Sequence, residues 1–356
     1  MKKYLFLISL FPIAVQAAAV RYSVNADMYS EPLPIHAFLD DWQDPNFKSG
    51  ENAFAHGKMK LSVQQGPWNT GWVWSYDYAL NFSPDMAKLY YQIENDLPID
   101  ANSSYDLFLE AQHVDSIGAR LAYDWALNPD WTVTAGVTAL IGRHYVDGQF
   151  NAYGQTTDQI NLMDRVSWLN GQLDYSYDVP ALKEDELGLG DLRVKQGYGY
   201  ALDFTVNGKI NEQWKVNLQL EDVFSYLYWD QAPYSRYEIH YDKDNRPRMD
   251  LSGRVDTRQQ YKQELPYKIR SEIEYRPIQP LSFTLSSFSN PYLTLFQLNS
   301  YWENDFVKLG VHTEPQTQAY GVSLQHQNVG FKYMADALNT NQAKRMGASL
   351  YAQYVW

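Results

Sequence analysis

Between Trp72 and Phe82 the chain reads WVWSYDYALNF. Trp72, Trp74, Tyr76, Tyr78, Leu80 and Phe82 fall on one face of an extended chain, and Val73, Ser75, Asp77, Ala79 and Asn81 on the other. Large apolar side chains at period two mark a β-strand, because a helix would repeat them at about 3.6. IGARLAYDWAL, residues 117–127, repeats the dyad with Arg120 and Asp124 on its small, polar face. The turn Asn128-Pro129-Asp130 and the alternating WTVTAGVTALI follow, which predicts a hairpin.

YGYALDFTV and WKVNLQLED alternate in the same way around NGKINEQ, with Asp203, Lys215 and Glu221 on the polar faces. KIRSEIEYR and LSFTLSS form another predicted hairpin across Pro277-Ile278-Gln279-Pro280, placing Arg270, Glu272, Glu274 and Arg276 on one side. A soluble β-sandwich also alternates. All of these segments but LSFTLSS, however, run nine to eleven residues, enough to cross a bilayer at a tilt, whereas soluble strands average about five to six. Trp72, Trp125, Trp131, Trp214 and Tyr275 stand at strand ends, where aromatic girdles belong, and the charges sit in mid-strand, which a dry core rejects and a wet lumen accepts. A sheet crosses hydrocarbon only as a closed barrel. The prediction is therefore an all-β, transmembrane antiparallel β-barrel of about 16 strands, within a range of about 14 to 18.

Composition sharpens this. Aromatics are 15% of the 356 residues, with 29 Tyr and 11 Trp, yet mean hydropathy is −0.48. After residue 17 no apolar run approaches the roughly 18 residues of a membrane helix. The start, MKKYLFLISLFPIAVQA, has two lysines, an apolar stretch and small residues before Ala17, so residues 1–17 read as a secretory signal peptide. Without them, 27 basic face 42 acidic residues, a formal charge of −15, which argues against nucleic acid as a partner. The absence of cysteine excludes thiol catalysis and cysteine-ligated metal.

Residues 18–56 carry Pro32, Pro34 and Pro45 and read as an N-terminal periplasmic or luminal segment, a small plug or latch, ahead of a barrel over 57–356. Short turns belong to the periplasmic side, and the polar stretches near 96–104, 146–165, 180–196 and 229–266 to external loops. EDELGLGD, residues 184–191, lacks fixed ligand spacing and reads as a solvated acidic surface; YDKDNRPRMD reads as a turn.

With its signal peptide, its alternating segments and the ending ASLYAQYVW, the chain resembles Gram-negative outer-membrane β-barrel proteins of the porin-like kind. The resemblance implies an outer-membrane location, lipid, periplasmic chaperones and the barrel-assembly machinery as partners, and an assembly signal in the last strand. Leu350, Tyr354 and Trp356 match that signal, with Trp in place of the commoner Phe and a small Ala352.

The catalytic patterns of membrane barrels do not fit this chain. SFSNP supplies Ser289 and Asn290 without the neighbouring His of phospholipase barrels. Asp40-Asp41 formally matches an omptin-like acidic pair beside Trp42 but reads as solvated. His36, His56, His113, His144, His240, His312 and His326 show no metal-ligand spacing, and no cofactor or metal is implied. The expectation is a pore for small solutes lined by Asp77, Arg120, Asp124, Asp203, Lys215, Glu221, Arg270, Glu272 and Arg276, whose mixed signs set up a transverse field. Two alternatives stay open: those charges act as salt-bridged filling of the wall, or the protein is a docking component of a secretion, pilus or polysaccharide system. A hydrolase is the remaining class.

Overall fold

In the computed structural model, residues 18–159, 165–179, 196–244 and 249–356 are described; the signal peptide and the acidic stretch 184–191 lie outside them. Fourteen strands close a ring: β1 (Ala18–Ser30), β2 (Asn52–Gln65), β3 (Trp68–Phe82), β4 (Ser104–Asn128), β5 (Trp131–Thr156), β7 (Gly197–Lys209), β8 (Trp214–Trp229), β12 (Lys268–Ile278), β13 (Leu281–Ser289), β14 (Thr294–Glu303), β15 (Lys308–Glu314), β16 (Ala319–Gln325), β17 (Val329–Ala335) and β18 (Arg345–Val355). Neighbours in the ring are antiparallel, and β1 pairs with both β2 and β18, from Ala19↔Val355 to Tyr29↔Arg345. Ala18 and Trp356 exchange both backbone hydrogen bonds at 3.0 Å, so no edge is left open where the two ends meet.

The count of about 16 is thus corrected to 14, the lower limit of the expected range. The excess comes from residues spent on height. β4 and β5 run 25 and 26 residues, whereas β15, β16 and β17 have seven each. The lower half of β5 pairs with β7, and its upper half, beyond a bulge at Arg143, with β6 (Val166–Tyr177). β6 pairs with β9 (Ala232–Asp242), β9 with β10 (Met249–Arg258), and β11 (Tyr261–Glu264) returns along β8. Gln231 (φ 59°) and Gln260 (φ 56°) adopt left-handed backbone side by side, where β8 turns into β9 and β10 into β11. The described parts of the expected loops 146–165 and 229–266 are therefore mostly strands that raise one flank of the ring. They read as loops because their faces are polar on both sides.

The segment 18–56 is also corrected. Its first thirteen residues are β1, and Asn52 to His56 begin β2. Between them, α1 (Ile35–Leu39) packs beside the connection from β17 to β18, with Ile35 N–H donating to Ala343 O at 2.8 Å. α2 (Pro84–Glu94) starts at Ser83, whose hydroxyl accepts from Met86 N–H at 3.1 Å, with Pro84 in the first turn. Its Ala87 packs on Ala53, Leu80 and Phe82, so the upper outward residues of β2 and β3 are covered by protein.

Register fixes the two faces. Leu61, Trp72, Leu121, Val137, Phe204, Leu218, Ile273, Leu285, Leu298, Val322, Phe331 and Leu350 point outward and are exposed, an apolar belt around the ring. An apolar exterior around a charged interior inverts a soluble protein and meets the demands of a bilayer. The connections at the end where Ala18 and Trp356 meet are short, such as Asn128–Trp131 and Lys209–Trp214, and the long ones lie at the far end.

Candidate functional site

The nine residues expected to line a pore all lie at inward-facing register positions. Most are ion-paired. Arg120 Nε donates to Asp203 Oδ2 at 3.1 Å and its Nη1 to Asn69 at 3.2 Å; its guanidinium lies over Gly136, where an added Cβ would meet it at 2.4 Å. Asp124 accepts from Thr134 Oγ1 at 2.6 Å and Gln64 Nε2 at 3.0 Å. Arg276 donates to Glu303 at 2.7 Å and Glu274 at 3.3 Å. Lys215 is exposed near the short-turn end.

Asp77, Glu221 and Arg270 join a set that crosses the barrel. Lys268 Nζ, on β12, contacts Asp77 Oδ1, on β3, at 2.8 Å and Asp222 Oδ2 at 2.8 Å. Four ring strands lie between β3 and β12 on one side and eight on the other. His56 Nδ1 donates to the same Asp77 at 2.6 Å. Lys58, on β2, reaches Glu221, on β8, at 3.1 Å, and Glu221 accepts from Arg270 at 2.8 Å. Phe54 and Phe288 come from diametrically opposite strands, with six ring strands between them in either direction, and their rings lie 5.5 Å apart. Arg270 stands 5.0 Å over Phe288 and Arg345 5.9 Å over Phe54, cationic caps on an aromatic pair. Arg345 is bound in turn by Glu314 at 2.7 Å and by Asp27.

These contacts form a seam along one diameter and divide the interior. The half enclosed by β3, β4, β5, β7 and β8 is nearly solid, with a void of about 10 Å³ beside Ser75, Val114 and Thr138. Its far end is an apolar cluster in which Tyr145 stacks on Trp229 at 4.1 Å, beside Leu140 and Leu227. Gly197 is required there, because the Trp229 ring lies 2.8 Å from where its Cβ would stand. Trp229 Nε1 donates to Gln263 at 3.0 Å, and Gln263 Nε2 to His113 O at 3.0 Å. The half bounded by the short strands keeps a cavity of about 310 Å³, lined by Asn25, Gln219, Glu272, Gln297, Lys332 and the seam itself. A recess of about 480 Å³ opens at the short-turn end beside Arg276, Glu303, Lys308 and His326.

Above the belt, Asp147 on the upper part of β5 accepts from Tyr261 OH at 2.7 Å; burial pushes its carboxyl up to about 6. Ser289 is bonded to Thr294 at 2.7 Å, and Asp41 caps the N–H of Gln43. No group of three or more His, Asp or Glu placed to hold a metal occurs among the described residues.

Sequence reasoning did not single out Lys58, Lys268, Phe54 or Phe288. The face Phe54-His56-Lys58-Lys60 of β2 was a readable signal, but pairing over 163 positions, as for Lys58 and Glu221, has no local signature. Leu350, Tyr354 and Trp356, expected to form an assembly signal, are exposed on the outer surface, with the last two rings stacked 5.8 Å apart.

A closed ring, an outer apolar belt and a charged interior make this a transmembrane β-barrel of porin-like architecture. Among solved structures, the chain is similar to the P. putida toluene transporter TodX, at 7% identity over 95% of this chain and 89% of that one, with a TM-score of 0.40. It is likewise similar to the Ralstonia pickettii toluene transporter TbuX (10%, 95% and 88%, TM-score 0.39) and to a Pseudomonas aeruginosa FadL homologue (10%, 96% and 90%, TM-score 0.39). No family model and no curated protein matches the chain.

Proposed function

We propose that the protein is an outer-membrane channel for small, polar solutes. The observation that carries this reading is the charged cavity of about 310 Å³ left open beside the seam, inside a ring whose outer surface is apolar. Solutes would pass through the short-strand half, between the recess at the periplasmic side and the aromatic contact of Phe54 with Phe288. Of the nine inward charges, Asp77, Glu221 and Arg270 then act in the seam as bracing, and Glu272 faces the cavity as part of the selective surface.

Single-channel recording of the purified protein in planar bilayers tests this. Small conductance in the native protein, raised by Phe288→Ala, is the expected result. Silence in both would favour a docking component, a reading that the nearly solid half and the raised flank of β6, β9 and β10 support.

A further inference from the structure

The cavity beside the seam holds two charged groups that make no ion pair among the described residues. Of the charged groups lining it, Lys58, Glu221 and Arg270 bind one another, and Asp27 and Arg345 do the same. Glu272, on β12, is exposed to the interior and makes no ion pair or hydrogen bond among the described residues. Among the described residues Lys332, on β17, hydrogen-bonds only to an amide, the Oε1 of Gln297 at 2.5 Å. Four strands lie between β12 and β17 on the shorter way round, so an unpaired carboxylate and an ammonium without an acidic partner stand on facing walls of one cavity. Gln219 and Asn25 add amide groups that no other side chain among the described residues occupies.

We propose that this cavity is a binding site for small zwitterions carrying one ammonium and one carboxylate, of the size of an amino acid or short peptide. The ammonium lies against Glu272 and the carboxylate against Lys332, with the free amides completing the hydrogen bonds. A solute of one charge satisfies one wall and leaves the other group unpaired in a confined space, where the loss is largest. Selection therefore comes from the unpaired charges, and the seam holds the two walls at a fixed separation. The cavity volume falls at the small end of the range for small-molecule sites, about 300–1,000 Å³.

The inference names the solute class of the channel reading and rests on it. The test titrates glycine, diglycine and triglycine, whose charge separation increases along the series, into the purified full-length barrel by calorimetry. Each is compared with its N-acetyl and C-terminal amide forms. At least one zwitterion should bind about ten-fold or more tightly than both its singly charged forms. Glu272→Gln and Lys332→Gln should each abolish that preference, while the exchange Glu272→Lys with Lys332→Glu should restore it. Heat-modifiable gel migration checks that each variant is folded. A barrel that conducts but binds no zwitterion better than its singly charged forms, or whose preference survives both single variants, overturns this inference and leaves the channel reading standing. Binding as expected in a protein that never conducts overturns the channel and leaves the site.

Discussion

Lys268 holds Asp77 at 2.8 Å across the interior, and the same ammonium holds Asp222 at 2.8 Å. Lys268 is 3% exposed, so removing its charge strands two carboxylates away from water. Lys268→Met should cost about 3–5 kcal/mol, the usual penalty for breaking a buried pair from one side. Thermal loss of the folded gel band measures it, and a change below 1 kcal/mol would show that the seam is wetter than its burial implies.

The aromatic contact separates energetics from passage. Phe288→Ala removes the ring that meets Phe54 and uncovers the Arg270 guanidinium. The expected outcome is a larger single-channel current with a folded band unchanged at room temperature. An unaltered current would place the narrowest point elsewhere.

Outward and inward faces predict opposite tolerance. Val137 is 44% exposed in the middle of the belt, between Leu121 and Leu202. Val137→Lys should destabilise by about 2–4 kcal/mol, as a cation at bilayer depth does. Lys215→Gln, inward and without an ion-pair partner among the described residues, should be nearly neutral. Equal losses in equilibrium refolding into vesicles would reverse the assignment of faces.

Asp147 gives the raised flank a pH dependence. Its folded value is about 6 against an unfolded 3.8, because burial penalises the carboxylate. The neutral acid is favoured on folding, so its contribution is fully present below about pH 4 and is lost as pH rises through 6. Hydrogen exchange of upper β5 should accordingly be slower at pH 4 than at pH 7, after correction for intrinsic rates. Asp147→Asn should remove that difference.

The last strand tests assembly. Deleting Tyr354 to Trp356 removes the backbone that bonds to Ala18 and two of the three side chains that fit the assembly signal. The truncated chain should accumulate in the periplasm without a heat-modifiable band. Normal recovery in the outer membrane would separate closure from recognition.

Much of the ring is legible in sequence because β3, the lower halves of β4 and β5, β7, β12 and β18 each alternate between lipid-facing and lumen-facing side chains. β1 escapes because its outward set is modest, with Val20, Val24 and Ala26 around Tyr22. The strand number comes out too high because an average allowance per strand spreads over 14 the residues that β4, β5 and the β6–β11 region spend on one flank. The inward charges are visible, since period two exposes them, but their partners are not. Asp77 and Lys268 are brought together by the curvature of the whole ring, which no short window contains.

A hoop with a spoke along one diameter resists being stretched along that line and yields at right angles to it. In a bilayer under lateral tension, strain would therefore gather in the short-walled half, which lacks such a brace. The space where Glu272 and Lys332 face each other would be the part of the protein that feels the membrane pull.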